Sequence, residues 1–277
     1  MRWTWLNNQF VEEEKAVIGI HDLAIQRGYG IFDFFRTRNN KPLYLDDHLE
    51  RFFHSATLMR LKPPQQKHEL KAIIEQLIAK NNIPESGIKI TLTGGYSTDA
   101  YTPATPNLII QQQPVVFPKP DQYTKGLRLI SHHYQRELPQ AKSINYLMGV
   151  WMQEEVKNKG ADDVLYYQNG IISELPRSNI FMITHEDILV TPVHNILHGV
   201  TRKHILQIAK NHFEIEERDI SLDELYKAKE VFISSTTKKM LPVIEIDKNI
   251  IDGGIPGSCT ALLFKEFRAF DEKESLK

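Results

Sequence analysis

The sequence predicts a mixed α/β fold in two domains joined by a proline-rich linker. The chain has 277 residues, more than one compact domain usually holds. Short β-type segments and amphipathic helices alternate irregularly on both sides of residues 111–122. That stretch, QQQPVVFPKPDQ, carries three prolines, which stiffen a connector. We therefore expect a small N-terminal domain at 1–113, a linker at 114–122 and a larger C-terminal domain at 123–277.

The N-terminal domain shows both kinds of periodicity. Two helices are predicted, at residues 46–59 and 67–81, because apolar residues recur there at helical spacing. Asp46 or Asp47 is the expected N-cap of the first helix. Strands are expected at residues 15–20, 30–37, 88–93 and 107–112.

The C-terminal domain also shows both helical and strand periodicity. Helices are expected at residues 145–159 and 202–212. The pair Asn169-Gly170 predicts a two-residue β-hairpin turn. Strands are expected at residues 127–131, 163–167, 171–173, 180–184 and 231–234.

Composition narrows the possible functions. The net charge of −1 provides no broad basic field for nucleic acid or an anionic membrane. The lone Cys259 excludes an intrachain disulfide and a cysteine-rich metal cluster. His132, His133 and His185 show no metal-ligand spacing, so we expect no metal. No apolar run reaches the roughly 20 residues of a membrane span, and acidic residues interrupt the N-terminus before a signal-peptide core. We expect a cytoplasmic protein.

Lys142 is the first candidate for chemistry. It lies in ELPQAKSINYL, just before a predicted helix, where a lysine is usually a solvated surface charge. Its apolar neighbours Ile144, Tyr146, Leu147 and Val150 indicate instead a packed backbone with the amine directed into a cleft. A desolvated lysine amine loses its proton more readily and becomes a nucleophile.

The segment SELPRSNIF, residues 173–181, offers a carboxylate and a guanidinium close together. Glu174 follows a hairpin strand, and Arg177 comes three residues later. A surface position would be the ordinary interpretation of Glu174. A carboxylate that faces a pyridine nitrogen, however, keeps that nitrogen protonated and makes the ring an electron sink.

Three further features suit an anion such as a phosphate. LHGVTR, residues 197–202, combines a glycine with a helix start at which backbone N–H groups are exposed. ISSTTKK, residues 233–239, places hydroxyl residues directly after a strand. Arg51 can add a charge-assisted hydrogen bond, although a surface ion pair is its simpler interpretation.

Together these segments resemble one family. DHLERF, KSINYL, SELPRSNIF, LHGVTR and SSTTKKMLPV, with RGYGIFDFFR at residues 27–36, are similar in type and order to the motifs of class IV (fold type IV) aminotransferases. This family includes D-amino-acid and branched-chain aminotransferases and aminodeoxychorismate lyases. The resemblance runs from about residue 4 to residue 250. Each motif alone is unspecific, but the ordered set is specific.

The resemblance implies a two-domain homodimer that binds pyridoxal 5′-phosphate between its domains. It implies that Lys142 is catalytic and carries the cofactor covalently on its ε-amine, and that Glu174 pairs with the pyridine nitrogen. Ser178 and Asn179 are expected in the cofactor pocket. The residues expected to hold the phosphate are Arg51, Val200, Thr201, Thr236 and Thr237.

The substrate is predicted less directly. The Arg-x-His with which many D-amino-acid aminotransferases bind the substrate carboxylate is missing from TLTGGYSTDAY, residues 91–101. We expect Arg27 and Arg177 to replace it, because paired guanidinium groups suit a carboxylate. This arrangement resembles a less common D-amino-acid transaminase subgroup, which implies that Arg27 reaches across the dimer. Tyr29 and Phe32 either line the substrate pocket or pack in the core.

We therefore expect transamination between a D-amino acid and the keto acid 2-oxoglutarate. Three alternatives remain open. They are an aminodeoxychorismate lyase that eliminates pyruvate, a branched-chain L-amino acid aminotransferase, and a protein without activity, either cofactor-binding or a plain binding module.

Overall fold

The computed structural model describes residues 1–276, which form two compact units. The first unit contains residues 1–116, residues 141–145 and the chain end from Glu274. The second contains Phe117–Gln140 and Tyr146–Lys273. The chain first passes between units at residues 116 and 117, inside the stretch predicted as the linker. It then returns to the first unit for five residues that include Lys142.

The first unit is an antiparallel sheet covered by helices. The strands are β1 (Trp3–Leu6), β2 (Gln9–Glu12), β3 (Gly30–Arg38), β4 (Lys41–Pro42), β5 (Ser86–Thr93) and β6 (Leu108–Gln113). Their order in the sheet is β2-β1-β6-β5-β3-β4. The helices are α1 (Leu23–Arg27), α2 (Leu45–Leu58) and α3 (Lys67–Asn81). A short 3₁₀ helix, Glu13–Lys15, follows β2.

The core of this unit forms where α2 and α3 pack on one face of the sheet. Ile31 and Phe35 of β3 point into this core because alternate residues of a strand face the same side. Phe52 of α2 and Ile74 of α3 are buried in the same cluster. The predicted helices 46–59 and 67–81 and the strand 30–37 are therefore confirmed.

Two N-terminal expectations are wrong. Residues 15–20 form no strand; Val17 and Ile20 are exposed, so their β-branched side chains have no neighbouring strand against which to pack. The N-cap of α2 is Tyr44, in the left-handed region at φ 54°, and not Asp46 or Asp47. Both aspartates lie in the first turn, where negative charge favours the helix dipole.

The second unit is a nine-stranded mixed sheet. The strands are β7 (Leu127–His133), β8 (Asp163–Gln168), β9 (Ile171–Ile172), β10 (Asn179–Ile183), β11 (Ile188–Thr191), β12 (Glu214–Glu217), β13 (Glu230–Ser235), β14 (Lys239–Ile246) and β15 (Asn249–Ile250). Their main order is β12-β11-β10-β13-β14-β7-β8-β9, and β15 pairs with β14. The helices are α4 (Pro120–Lys125), α5 (Leu147–Trp151), α6 (Gln153–Asn158), α7 (Val200–Ala209), α8 (Leu222–Tyr226) and α9 (Ser258–Glu274).

Local signals explain several of these elements. Asn169 and Gly170 both adopt positive φ, 52° and 78°, as a tight hairpin between β8 and β9 requires. Pro120 occupies the start of α4, where its missing N–H is not needed. The single helix expected at 145–159 is wrong in detail, because the chain forms two short helices that meet at Met152.

No helix among residues 1–276 is both long and apolar enough to cross a bilayer. Within the same residues, no cluster of three or more His, Cys, Asp or Glu side chains could hold a metal ion.

Candidate active site

Lys142 lies on a short segment that extends the first sheet along β3. The Phe32 N–H donates to the Lys142 carbonyl at 2.9 Å, and the Ile144 N–H donates to the Gly30 carbonyl at 3.0 Å. Ile31 and Ser143 form an antiparallel bridge between these bonds. The segment is therefore held by β-type hydrogen bonds, and the backbone on which the predicted catalytic amine sits is fixed.

The same segment is also attached to α2. The Lys142 N–H donates to Ser55 Oγ at 3.1 Å, and Ser55 is fully buried. The Lys142 Nζ lies 4.5 Å from the centroid of the half-buried Phe32 ring. An aromatic face favours a nearby ammonium group through its quadrupole. Lys142 thus has a fixed backbone and an ammonium group beside an aromatic ring.

Arg51 is engaged with a buried carboxylate. Its Nε donates to Asp33 Oδ2 at 2.8 Å and its Nη2 donates to Asp33 Oδ1 at 2.8 Å. His48 Nδ1 lies 2.7 Å from the same Oδ1 atom. Asp33 and His48 are almost completely buried, and Arg51 is one turn of α2 from His48 and one from Ser55.

The electrostatics of this cluster favour ionised Asp33 and neutral His48. Burial alone would raise the pKa of Asp33, but the Arg51 guanidinium and, more weakly, His48 outweigh it and hold the pKa far below its usual range. Burial lowers the pKa of His48. Arg51 and Lys142 act in the same direction on His48, against the pull of Asp33.

Glu174 is buried in the second unit among hydrogen-bond donors. Arg136 Nε donates to Glu174 Oε1 at 3.0 Å, and Arg136 Nη2 contacts the same oxygen. The Leu197 N–H donates to Glu174 Oε2 at 3.0 Å, with Asn179 Nδ2 at 3.5 Å. Such an arrangement suits an anionic carboxylate, the form that can accept a hydrogen bond from a protonated ring nitrogen.

Asn179 links the two segments that were predicted to hold a phosphate. Its Nδ2 donates to the Leu197 carbonyl at 2.8 Å, in the loop that leads into α7. As the first residue of β10 it also pairs with Ser234 of β13. A Cβ atom added to Gly199 would lie 2.1 Å from Asn179 Oδ1, so any other residue at this position would require the Asn179 side chain to move.

These segments present a set of neutral donors. Val200 and Thr201 are the first two residues of α7, whose N-terminal N–H groups have no partner inside the helix. Ser178 and Ser234 each bury a hydroxyl oxygen that has no hydrogen-bond partner within residues 1–276. Such orphaned polar atoms are uncommon and indicate a missing bound group or water.

The turn after β13 is held by two hydrogen bonds that Lys238 donates. Lys238 Nζ donates to Asp163 Oδ2 at 2.7 Å, and the Lys238 N–H donates to Ser235 Oγ at 3.2 Å. Thr236 and Thr237 lie within this turn and are half-buried. The turn therefore has a defined backbone on which their hydroxyl and N–H groups can meet an anion.

The predicted substrate residues differ in their surroundings. The Tyr29 hydroxyl donates to the Met59 carbonyl, and the ring packs against the first core, which is the packing alternative given for this residue. Arg27 and Arg177 are exposed. Arg27 Nη1 donates to the Gln26 carbonyl at 2.9 Å. In the described part of the chain neither guanidinium forms an ion pair.

The predicted residues are thus gathered in two groups, one within each unit. The first unit holds Arg27, Tyr29, Phe32, Arg51 and Lys142, and the predicted residues from Glu174 to Thr237 belong to the second. The sequence analysis did not identify four residues that contact the predicted site residues or their partners. They are Asp33, His48, Ser55 and Arg136. His48 and Ser55 stand at helical spacing from Arg51, a signal that could have identified them, whereas Arg136 offered none.

Comparison with known proteins gives consistent matches over nearly the whole chain. A family model described as amino-transferase class IV matches residues 30–246. D-alanine aminotransferase from Bacillus licheniformis is 29% identical over 260 residues, covering 92% of each chain.

Two solved structures are similar as well. The branched-chain amino acid aminotransferase of Escherichia coli superposes with a TM-score of 0.91 at 25% identity, covering 99% of this chain and 96% of that one. A protein from Legionella pneumophila described as a putative 4-amino-4-deoxychorismate lyase has a TM-score of 0.84 at 26% identity, covering 94% and 97%.

Proposed function

This chain belongs to the class IV aminotransferase family and is an enzyme, and from that premise we propose that it transfers an amino group between a D-amino acid and 2-oxoglutarate with pyridoxal 5′-phosphate as cofactor. The proposal includes a homodimer. The orphaned hydroxyls of Ser178 and Ser234 and the bare backbone at Gly199 fit a bound phosphate ester better than a closed apolar core.

The chain supplies groups for each part of that cofactor. Lys142 would carry it on the ε-amine, and Glu174 would hold the proton on the ring nitrogen. Pyridoxal 5′-phosphate, when bound, supplies an aldehyde that joins amines and a ring that takes up an electron pair. The residues that would hold the phosphate are Arg51, Val200, Thr201, Thr236 and Thr237.

Lys142 has a second task in this proposal. Its free amine would take the proton from the substrate α-carbon, hold it, and return it when the amino group is transferred. The hydrogen bonds made by the backbone of Lys142 support this role, because a group that carries a proton must stay within transfer distance of the atoms that give and receive it.

The choice of substrate rests on the surroundings of Arg27 and Arg177. Both are exposed and without an ion pair in residues 1–276, and a pair of guanidinium groups suits the carboxylates of 2-oxoglutarate. In the proposed dimer Arg27 would act from across the subunit boundary. Similarity to a D-alanine aminotransferase supports the D-amino acid as donor.

The test compares three reactions on one preparation of the purified enzyme. We expect D-alanine with 2-oxoglutarate to give pyruvate and glutamate, and L-leucine to react far more slowly. Pyruvate from aminodeoxychorismate without a keto acid would identify a lyase, an alternative favoured by the similarity to the Legionella protein. Fast turnover of L-leucine would identify a branched-chain enzyme. Lys142→Ala serves as the inactive control throughout.

The homodimer is tested separately, by sedimentation equilibrium of the purified protein. We expect about twice the 32.1 kDa mass of the chain. A single species of the monomer mass at micromolar concentration would contradict it.

A further inference from the structure

We propose that Asp33 is a positioning residue that orients the Arg51 guanidinium toward the phosphate of the cofactor, with His48 as its support. This inference rests on the proposed role of Arg51. Asp33 itself would not touch the cofactor. It would act by fixing which N–H groups of the Arg51 guanidinium point toward an anion.

The geometry of the ion pair carries the argument. Two hydrogen bonds, both 2.8 Å, join Nε and Nη2 of Arg51 to the two oxygens of Asp33. A guanidinium group bound through two of its nitrogen atoms has one orientation, whereas a guanidinium group held by a single hydrogen bond can rotate. The N–H groups that point away from Asp33 therefore have a fixed direction.

A contribution to stability alone does not explain why an acid lies at position 33. It lies on β3 between the core residues Ile31 and Phe35 and is fully buried. A buried ion pair gives little net stability, because desolvation offsets the attraction and well-packed apolar residues do as well or better. An acid in this position is accounted for if it orients Arg51.

His48 holds the carboxylate from a second direction. Because burial lowers the pKa of the imidazole, we assign it as neutral, with Nδ1–H donating to Asp33 Oδ1 at 2.7 Å. The Phe34 N–H donates to the same oxygen, also at 2.7 Å. Arg51 Nη2 lies 3.2 Å from His48 Nδ1, so both donors converge on one acceptor. The carboxylate that aims Arg51 is itself immobilised.

The experiment compares two ligands that differ only in the phosphate group. Apoenzyme of the wild type, Asp33→Asn, Arg51→Gln and the double variant is titrated with pyridoxal 5′-phosphate and with pyridoxal. Asparagine keeps the shape of aspartate but cannot accept both guanidinium bonds. We expect Asp33→Asn to weaken binding of the phosphate form about tenfold, with pyridoxal changed less than about twofold. The double variant should bind no more weakly than Arg51→Gln alone, because Asp33 acts through Arg51.

Each other result has a distinct meaning. Equal weakening of both ligands by Asp33→Asn would show that Asp33 only supports the fold and would overturn the inference. The inference also fails if Asp33→Asn changes neither ligand while Arg51→Gln selectively weakens the phosphate form; the role of Arg51 would then stand. If Arg51→Gln leaves the preference for the phosphate form unchanged, the proposed role of Arg51 is wrong, and this inference with it.

A second pair of variants decides the matter if Asp33→Asn does not fold. His48→Asn places an amide donor near the position of Nδ1, and His48→Leu removes the donor. We expect His48→Leu to reduce the preference for the phosphate form severalfold and His48→Asn to restore most of it. The same preference in both variants would overturn the inference.

Discussion

The N–H group of Lys142 donates to the Oγ atom of Ser55 at 3.1 Å, across 87 residues of sequence. Ser55 lies one turn beyond Arg51 on α2 and is fully buried. One face of a single helix therefore carries both the Ser55 hydroxyl that accepts from the backbone of the proposed catalytic lysine and Arg51, a proposed phosphate ligand. A displacement of α2 would disturb both at once.

Replacing Ser55 should measure the strength of this connection. In Ser55→Ala the N–H of Lys142 loses an acceptor that is fully buried, and we expect a loss of about 1–3 kcal/mol in the free energy of unfolding. Urea denaturation checks this. The matched control is Thr57→Ala, because exposed Thr57 donates to the Phe53 carbonyl on the same helix and its loss should change the value by less than about 0.5 kcal/mol. Equal effects in the two variants would contradict the prediction.

The lowered pKa of His48 predicts a dependence of stability on pH. A histidine that stays neutral in the folded protein takes up a proton more easily when unfolded, near its ordinary pKa of 6.5. Its contribution is therefore complete above pH 6.5 and is lost as the pH falls toward the folded-state pKa. The slope is at most about 1.4 kcal/mol per pH unit for this single proton.

The measurement is a series of urea unfolding curves between pH 8 and pH 5, recorded for the wild type and for His48→Asn. The wild type should lose more stability over this range than the variant, which has no group to protonate at this position. Parallel curves would show that His48 does not contribute to the acid sensitivity.

Arg27 and Arg177 should separate substrate binding from cofactor binding. We expect Arg27→Ala and Arg177→Ala each to raise the KM for 2-oxoglutarate at least about tenfold, because each removes a charge-assisted hydrogen bond. The absorbance of the bound cofactor should not change. Arg60→Ala, at an exposed arginine elsewhere in the first unit, is the control. Wild-type kinetics in both variants would eliminate the two-arginine model of substrate binding.

Gly199 should tolerate no side chain. An alanine Cβ would lie 2.1 Å from Asn179 Oδ1, while the backbone, at φ −66°, is ordinary for any residue. Asn179 would have to move, and with it the loop before α7, so we expect binding of pyridoxal 5′-phosphate to weaken about tenfold or more. Gly19→Ala is the control, since its Cβ meets only the exposed ring of Tyr96. Undiminished cofactor affinity in Gly199→Ala would remove Asn179 and Gly199 from the proposed site.

Lys142 should be the residue that borohydride labels. Reduction of the holoenzyme converts the bond between amine and cofactor into a stable one, and mass spectrometry of the digest should find the added mass on the peptide with Lys142. Lys142→Ala should bind the cofactor without any label. A label on another lysine, or none in the wild type, would refute the covalent role.

Much of the local structure was predictable because it depends on residues close in sequence. The periodicity of 67–81 gave α3 with its observed bounds, and Asn169-Gly170 gave the hairpin. The strand expected at 15–20 failed because composition alone does not provide a partner strand. Helix α9 was not predicted, since charged residues interrupt its apolar positions; Leu263 and Phe267 are buried there against Phe181 and Phe232.

The sequence by itself determined the family and supplied the candidates for the site, which are Lys142, Glu174 and the phosphate-type segments, because each lies in a short motif. Only the tertiary structure decided which side chains hold these groups. Asp33 meets Arg51 across 18 residues, Arg136 meets Glu174 across 38, and Ser55 meets Lys142 across 87. These pairings follow from how β3 packs against α2 and how the strands of the second sheet are ordered. The physical reason is that hydrogen bonds between distant residues depend on packing in space, and no spacing along the chain records it.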